Sequence, residues 1–284
     1  MDLKQIINET INTYLTEHRD IVYELDVACD IINEAYKSPN DVWFVEICSR
    51  LKDNRKYNIR HNLQNGDPRM KWWKPIQDRR DTDGKKQNSV GYAIIHGRTK
   101  EEAVKCLQNA IVHLHPWAAR IAGKNTLISY GHMEAIIEAC NTFFARAYMN
   151  INPRGLKEAI QYARHCKTVG LFQARELLHA LGQRKENDDP TVKWTELRPW
   201  GMIDCDIDGI EGQQALEKFL AQNGITPFRT YLSHDGKHYI LKTRDAQRLN
   251  FDFLQKYATT NVKGDPNCEF KGDARMILYS PIGV

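Results

Sequence analysis

Apolar residues recur at helical spacing through the start of the chain: Leu3, Ile6, Ile7, Ile11 and Leu15, then Ile21, Leu25, Ala28 and Ile32. A stripe on that period predicts helix over residues 2–37, broken at Ser38-Pro39-Asn40. Val42–Ile47 is a continuous apolar run that fits helix and strand equally well. Residues 53–89 are polar, rich in Asn, Asp and Gly, and read as a long loop or an extended hairpin. Gly91–His96 reads as a strand. Thr99 is placed to cap a helix from Lys100 to His115, with Glu102 at the capping-box position. Ala103, Val104, Leu107, Ile111 and Leu114 would share one face of it, and Pro116 would end it.

The second half alternates more regularly. A helix from about His132 to Asn141 leads to a strand over Phe143–Ile151, which Asn152-Pro153 ends. A helix with Leu156, Ala159, Ile160 and Ala163 inward follows, then another over 169–182 and a charged linker at Gln183–Thr191. After a strand at Trp200–Asp208, a helix begins near Glu211 and stops at Asn223-Gly224. Phe228–Leu232 and Tyr239–Thr243 are strands joined through the tight Asp235-Gly236 turn. A helix from Asp245 to Tyr257 and a strand near Arg275–Tyr279 complete the chain. The predicted class is α+β: a helical and basic N-terminal region, residues 1–130, followed by a two-layer α/β module, residues 131–284. In that module helices would cover one face of a mostly antiparallel sheet.

Chemistry concentrates where the strand at Trp200 ends in Asp204, Asp206 and Asp208. Side chains two apart on a strand share a face, which would bring carboxylates within about 7 Å of one another. Like charges that close are unfavourable unless a cation lies between them, and Mg²⁺ or Mn²⁺ takes such oxygens together with phosphates. The competing reading makes Asp208-Gly209 a strand-ending turn, with Asp206 or Asp208 capping the next helix. The hairpin would set Ser233, Lys237 and His238 beside the acidic strand. Carboxylates for metal next to a basic, hydroxyl-bearing turn suit a nucleoside triphosphate.

Met202-Ile-Asp204-Cys-Asp206, followed by Ser233-x-x-Gly236-x-His238, resembles the archaeo-eukaryotic primase superfamily, including the primase-polymerases of phages and plasmids. The resemblance covers roughly residues 140–284. It implies an RNA-recognition-like core for the catalytic module and template-directed nucleotidyl transfer. Asp204 and Asp206 would be the catalytic metal ligands for Mg²⁺ or Mn²⁺, and Ser233, Lys237 and His238 would bind the nucleotide. Asp273, ahead of Met276–Tyr279, would be the third metal ligand, with the loop residue Asp265 as its alternative. Single-stranded or primed nucleic acid and nucleoside triphosphates are the expected partners, with a helicase or other replication protein supplying unwinding. Priming, gap filling and repair would use the same residues. Two other classes stay open: a metal-dependent nuclease using the same acids, and a non-catalytic nucleic-acid-binding replication accessory protein.

Net charge is only +4, so its distribution matters more than its size. Residues 52–86 hold eleven Lys or Arg against five acids. Arg69, Lys71, Trp72, Trp73 and Lys74 lie together there, a mixture suited to phosphates and stacked bases; the alternative is a solvated connection pinned by its tryptophans. Arg146 and Tyr148 would share a face of their strand and, with Asn152 and Arg154, reach phosphate or a template. Equally, Tyr148 would be core and Arg146 would cover the sheet with its alkyl stem. Lys242 and Arg244 read as surface cations. His113-Leu114-His115, placed on a helix, would face two ways and so be structural.

Seven scattered cysteines without a Cys-x-x-Cys pair favour reduced thiols in a cytoplasm; the primase-superfamily resemblance implies a bacterial, phage or plasmid context. The polar start lacks a signal-peptide core, and no apolar run suits a membrane span. A Walker-type phosphate loop is absent, and no serine or cysteine hydrolase context is evident.

Overall fold

The computed structural model describes residues 22–50, 53, 67, 87–155, 198–205, 210–232, 236–246, 249, 268–271 and 274–281. Within them the chain runs β1 (Val22–Tyr23), α1 (Leu25–Ala35), β2 (Asp41–Arg50), β3 (Gln87–Ile95), α2 (Lys100–Gln108), β4 (Ile111–Leu114), α3 (Pro116–Ala122), β5 (Leu127–Ser129), α4 (Glu134–Phe143), β6 (Arg146–Asn150) and β7 (Arg154–Gly155). It continues as β8 (Trp200–Cys205), α5 (Ile210–Gln222), β9 (Arg229–Leu232), β10 (Lys237–Lys242), α6 (Thr243–Ala246), β11 (Cys268–Lys271) and β12 (Arg275–Ser280). The protein is therefore α+β with antiparallel sheets. No helix among the described residues is long and apolar enough to cross a membrane.

The first sheet has the order β1-β12-β6-β2-β3-β4-β5, with β7 also paired to β2. Val42–Ile47 is the middle of β2, buried along nearly its whole length, which is why its apolar run lacks alternation. Val45 and Ile47, with Ala93 on β3 and Ala147 and Met149 on β6, pack against Ala28, Ile31 and Ile32 of α1 and Ile136, Ala139 and Phe143 of α4. This sheet takes strands from both sides of residue 130, because β6 hydrogen-bonds to β2 and β12 to β6. Gly91 lets β3 and β4 close up: a Cβ there would lie 2.6 Å from the His113 carbonyl oxygen.

Thr99 caps α2, its hydroxyl accepting from the Glu102 N–H at 3.2 Å. The helix then stops at Gln108 rather than His115, a correction to the sequence reading. Ile111–Leu114 forms β4 instead, because β-branched Ile111 and Val112 find partners on β5. His113 consequently lies on a strand and stacks on Tyr92, with centroids 5.0 Å apart. His115 accepts from the Trp117 N–H at the start of α3. Pro116 opens that helix, where its missing N–H costs nothing. The next strand also starts later than expected: Phe143 closes α4, Phe144 adopts a left-handed conformation, and β6 begins at Arg146.

The second sheet has the order β11-β8-β10-β9, with every neighbour antiparallel. One face, with Ile203, Cys205, Tyr239 and Leu241, is covered by Leu216 and Leu220 of α5 and by Ile225. The other face sends Trp200, Met202, Tyr231 and Ile240 into the core shared with the first sheet. Asn152 joins the two sheets: its Nδ2 donates to the Trp200 carbonyl at 2.8 Å, and its Oδ1 accepts from the Trp200 N–H at 2.9 Å.

Candidate functional site

Alternation along β8 sends Asp204 to the same face as Met202, towards the first sheet, while Ile203 and Cys205 point at α5. The β10–β8 register sets His238 directly opposite Asp204, and the β10–β9 register sets Tyr231 directly opposite His238. One polar row thus crosses three strands. His238 Nε2 lies 2.7 Å from Asp204 Oδ1, and His238 Nδ1 lies 2.6 Å from the Tyr231 hydroxyl. Tyr231 Oη in turn accepts from the Ile277 N–H at 3.4 Å, which ties the row to β12. A carboxylate only accepts, so Nε2 carries the proton facing Asp204; in a neutral ring Nδ1 then accepts the tyrosine O–H.

Burial works against charge on Asp204, but the hydrogen bonds and charges of His238 and Lys271 outweigh it and hold the carboxyl well below the usual range. Lys271, on β11, forms an ion pair through Nζ with Asp204 Oδ2. Burial raises the Tyr231 hydroxyl well above its ordinary value, which keeps it a proton donor. The group is thus a single ionised carboxylate with a donor on each oxygen, one imidazole and one ammonium.

Lys237 does not join it. Adjacent residues on a strand point to opposite faces, so Lys237 lies on the α5 side, where Nζ sits 2.7 Å from Glu217 Oε1. The same Glu217 oxygen accepts from the Tyr239 hydroxyl at 3.2 Å. Both residues lie beside the acidic strand, on opposite faces of β10.

The residues grouped around Arg146 also serve packing. Arg146 Nη2 meets Asp53 Oδ1 at 2.8 Å with both side chains 2% exposed, so this guanidinium is not presented to a nucleic acid. Asn152 is fully buried in the junction with Trp200. Tyr148 is half-buried on the first sheet, where its hydroxyl accepts from Arg50 Nη1 at 3.0 Å and Arg275 stacks over its ring. Arg154 lies on β7, half-buried.

Asp206, Asp208, Ser233, Asp265 and Asp273 lie outside the described residues, as do Arg69, Lys71, Trp72, Trp73 and Lys74. Among the described residues, no cluster of three His, Cys, Asp or Glu is arranged to hold a metal. Asp204 itself is a single ionised oxygen ligand, 19% exposed, with both oxygens already matched by His238 and Lys271. Sequence reasoning missed Tyr231 and Lys271. Alternation would have put Tyr231 on the His238 face had the strand register been known; Lys271 sits in a stretch without a strand pattern of its own.

No family model, curated protein or solved structure matches the chain.

Proposed function

We propose that the chain is a template-directed nucleotidyltransferase of the primase-polymerase type, using nucleoside triphosphates on single-stranded or primed nucleic acid. The observation that carries this reading is the Asp204–His238 pair, 2.7 Å apart across adjacent antiparallel strands. It supports the sequence resemblance because the Asp-x-Asp strand and the His strand are direct neighbours with both side chains on one face. The strand order β11-β8-β10-β9, with α5 linking β8 to β9, is likewise what an RNA-recognition-like core requires.

Asp204 and Asp206 would hold Mg²⁺ or Mn²⁺, with Asp273 as the third ligand. When bound, such ions supply acidification of the attacking 3′-hydroxyl and neutralisation of the triphosphate. His238 orients Asp204 through Nε2, and Tyr231 fixes the imidazole through Nδ1. Both ring nitrogens are therefore engaged, so His238 meets a phosphate only by releasing one of them. Ser233 would contact phosphate from the turn between β9 and β10. Arg69, Lys71, Trp72, Trp73 and Lys74 would bind the template, and a helicase or other replication protein would supply unwinding.

One observation favours a second reading. Both oxygens of Asp204 are already matched by His238 and Lys271, so the carboxylate is compensated by the chain itself. A nucleic-acid-binding accessory protein without catalysis would need no more than that. Incubation with Mn²⁺, labelled nucleotides and primed or single-stranded templates separates the readings. Template-dependent extension that Asp204→Asn reduces by two or more orders of magnitude is the expected result. Template degradation would instead identify a nuclease, and strand binding without either reaction would support the accessory protein.

A further inference from the structure

The first sheet has a second face. Val45, Ile47, Ala93, Ala147 and Met149 point to α1 and α4, so alternation turns Phe44, Glu46, Tyr92 and Tyr148 the other way. Register aligns the row: Tyr148 stands opposite Glu46, Glu46 opposite Tyr92, Tyr92 opposite His113, and His113 opposite Leu127. Tyr92 and His113 are half-buried, with ring centroids 5.0 Å apart and planes at 9°. Phe44 continues the stack on the other side of Tyr92, at 5.4 Å and 13°. Beyond His113 the next side chain of the row is Leu127, 53% exposed. At the opposite end Tyr148 receives Arg50 on its hydroxyl and Arg275 over its ring. Arg275 also pairs with Glu46, so two guanidiniums stand against one carboxylate. Ile277, opposite Tyr148, gives its N–H to Tyr231, which joins this row to His238 and Asp204.

Parallel rings at the surface take a further flat ring by the same offset stacking, and guanidiniums take phosphate. Single-stranded nucleic acid supplies both at a regular spacing, with its bases free to stack. An apolar protein segment would match Leu127 but not the excess positive charge. We propose that this face of the first sheet binds single-stranded nucleic acid, with bases on the Phe44–Tyr92–His113 stack and phosphates at Arg50 and Arg275. That the strand is a template leading to Asp204 rests on the nucleotidyl-transfer reading; the binding itself does not.

The test is fluorescence polarisation with labelled oligothymidylate and oligouridylate over a series of salt concentrations, on the full chain, Tyr92→Leu/His113→Leu and Arg50→Gln. The double variant keeps apolar bulk on both strands and should bind either oligomer at least roughly tenfold more weakly. Its salt slope should stay that of the wild type, because no phosphate contact is lost, whereas Arg50→Gln should lower the slope by about one. Photo-cross-linking of 5-iodouracil oligomers to the unaltered protein, mapped by mass spectrometry, should mark Tyr92, His113 or Tyr148; this readout needs no substitution. Equal affinity in the double variant and the wild type, or cross-links confined to other residues, overturns the face and leaves the nucleotidyl-transfer reading standing, since Asp204 is untouched. A dimer that the double variant dissociates would mean that a second copy of the chain covers the face, which also overturns it. If the wild type binds neither oligomer, the face and the nucleotidyl-transfer reading fall together.

Discussion

Asp204 and Glu24 show how neighbours decide the fate of a half-buried carboxyl. Asp204 has an imidazole and an ammonium in contact and stays ionised against its burial. Glu24 has no such help. It precedes α1 without making a side-chain cap, and burial, aided by the charge on Asp26, pushes it up to about 7. A carboxyl raised in the folded state favours folding while protonated, so its contribution is complete below about pH 4.5 and is lost as pH rises through 7. Glu24→Gln removes that titration. Thermal unfolding at pH 5 and pH 8 should therefore show a smaller loss of stability at the higher pH in the variant than in the wild type. An unchanged pH dependence would mean that Glu24 is solvated in the folded protein.

Among the elements, β8 carries the most: it is the strand on which the acidic motif, the junction to the first sheet and the α5 core meet. Asn152 holds the N–H and C=O of Trp200 much as a neighbouring strand would. Asn152→Ala strands both buried groups and should cost about 2–6 kcal/mol, at about 1–3 kcal/mol for each group left without a partner. Urea unfolding would show it, and a change within about 0.5 kcal/mol would mean that water or a neighbour replaces the amide. Elements with one wet face were legible in the sequence. α5 announced itself by Leu216, Phe219 and Leu220 and by the stop at Asn223-Gly224, where Gly224 takes φ +67°. β2 was not legible, because burial on both faces erases the alternation that marks a strand. Pro116 misled because proline suits the first turn of a helix as well as it ends one. Strand alternation alone separates Lys237, on the α5 side, from His238. Tyr231 and Lys271 were out of reach for a different reason: each meets its partner across a strand pair, and register is a property of the fold rather than of a segment.

In the whole molecule the two sheets share one core, and the row Asp204–His238–Tyr231 ends on the backbone of β12, a strand of the first sheet. The acidic face of β8 is therefore turned towards the larger sheet, and its carboxylate is held from both edges, by His238 on one side and Lys271 on the other. Such a setting gives Asp204 a fixed orientation. The proposed function requires a divalent cation at Asp204. The most direct measurement is paramagnetic broadening by substoichiometric Mn²⁺, read from the ring signals of His238 and Tyr231 and compared with Asp204→Asn. Selective loss of those two signals in the wild type, restored in Asp204→Asn, is the predicted result; signals that persist while Mn²⁺ broadens residues elsewhere would contradict it.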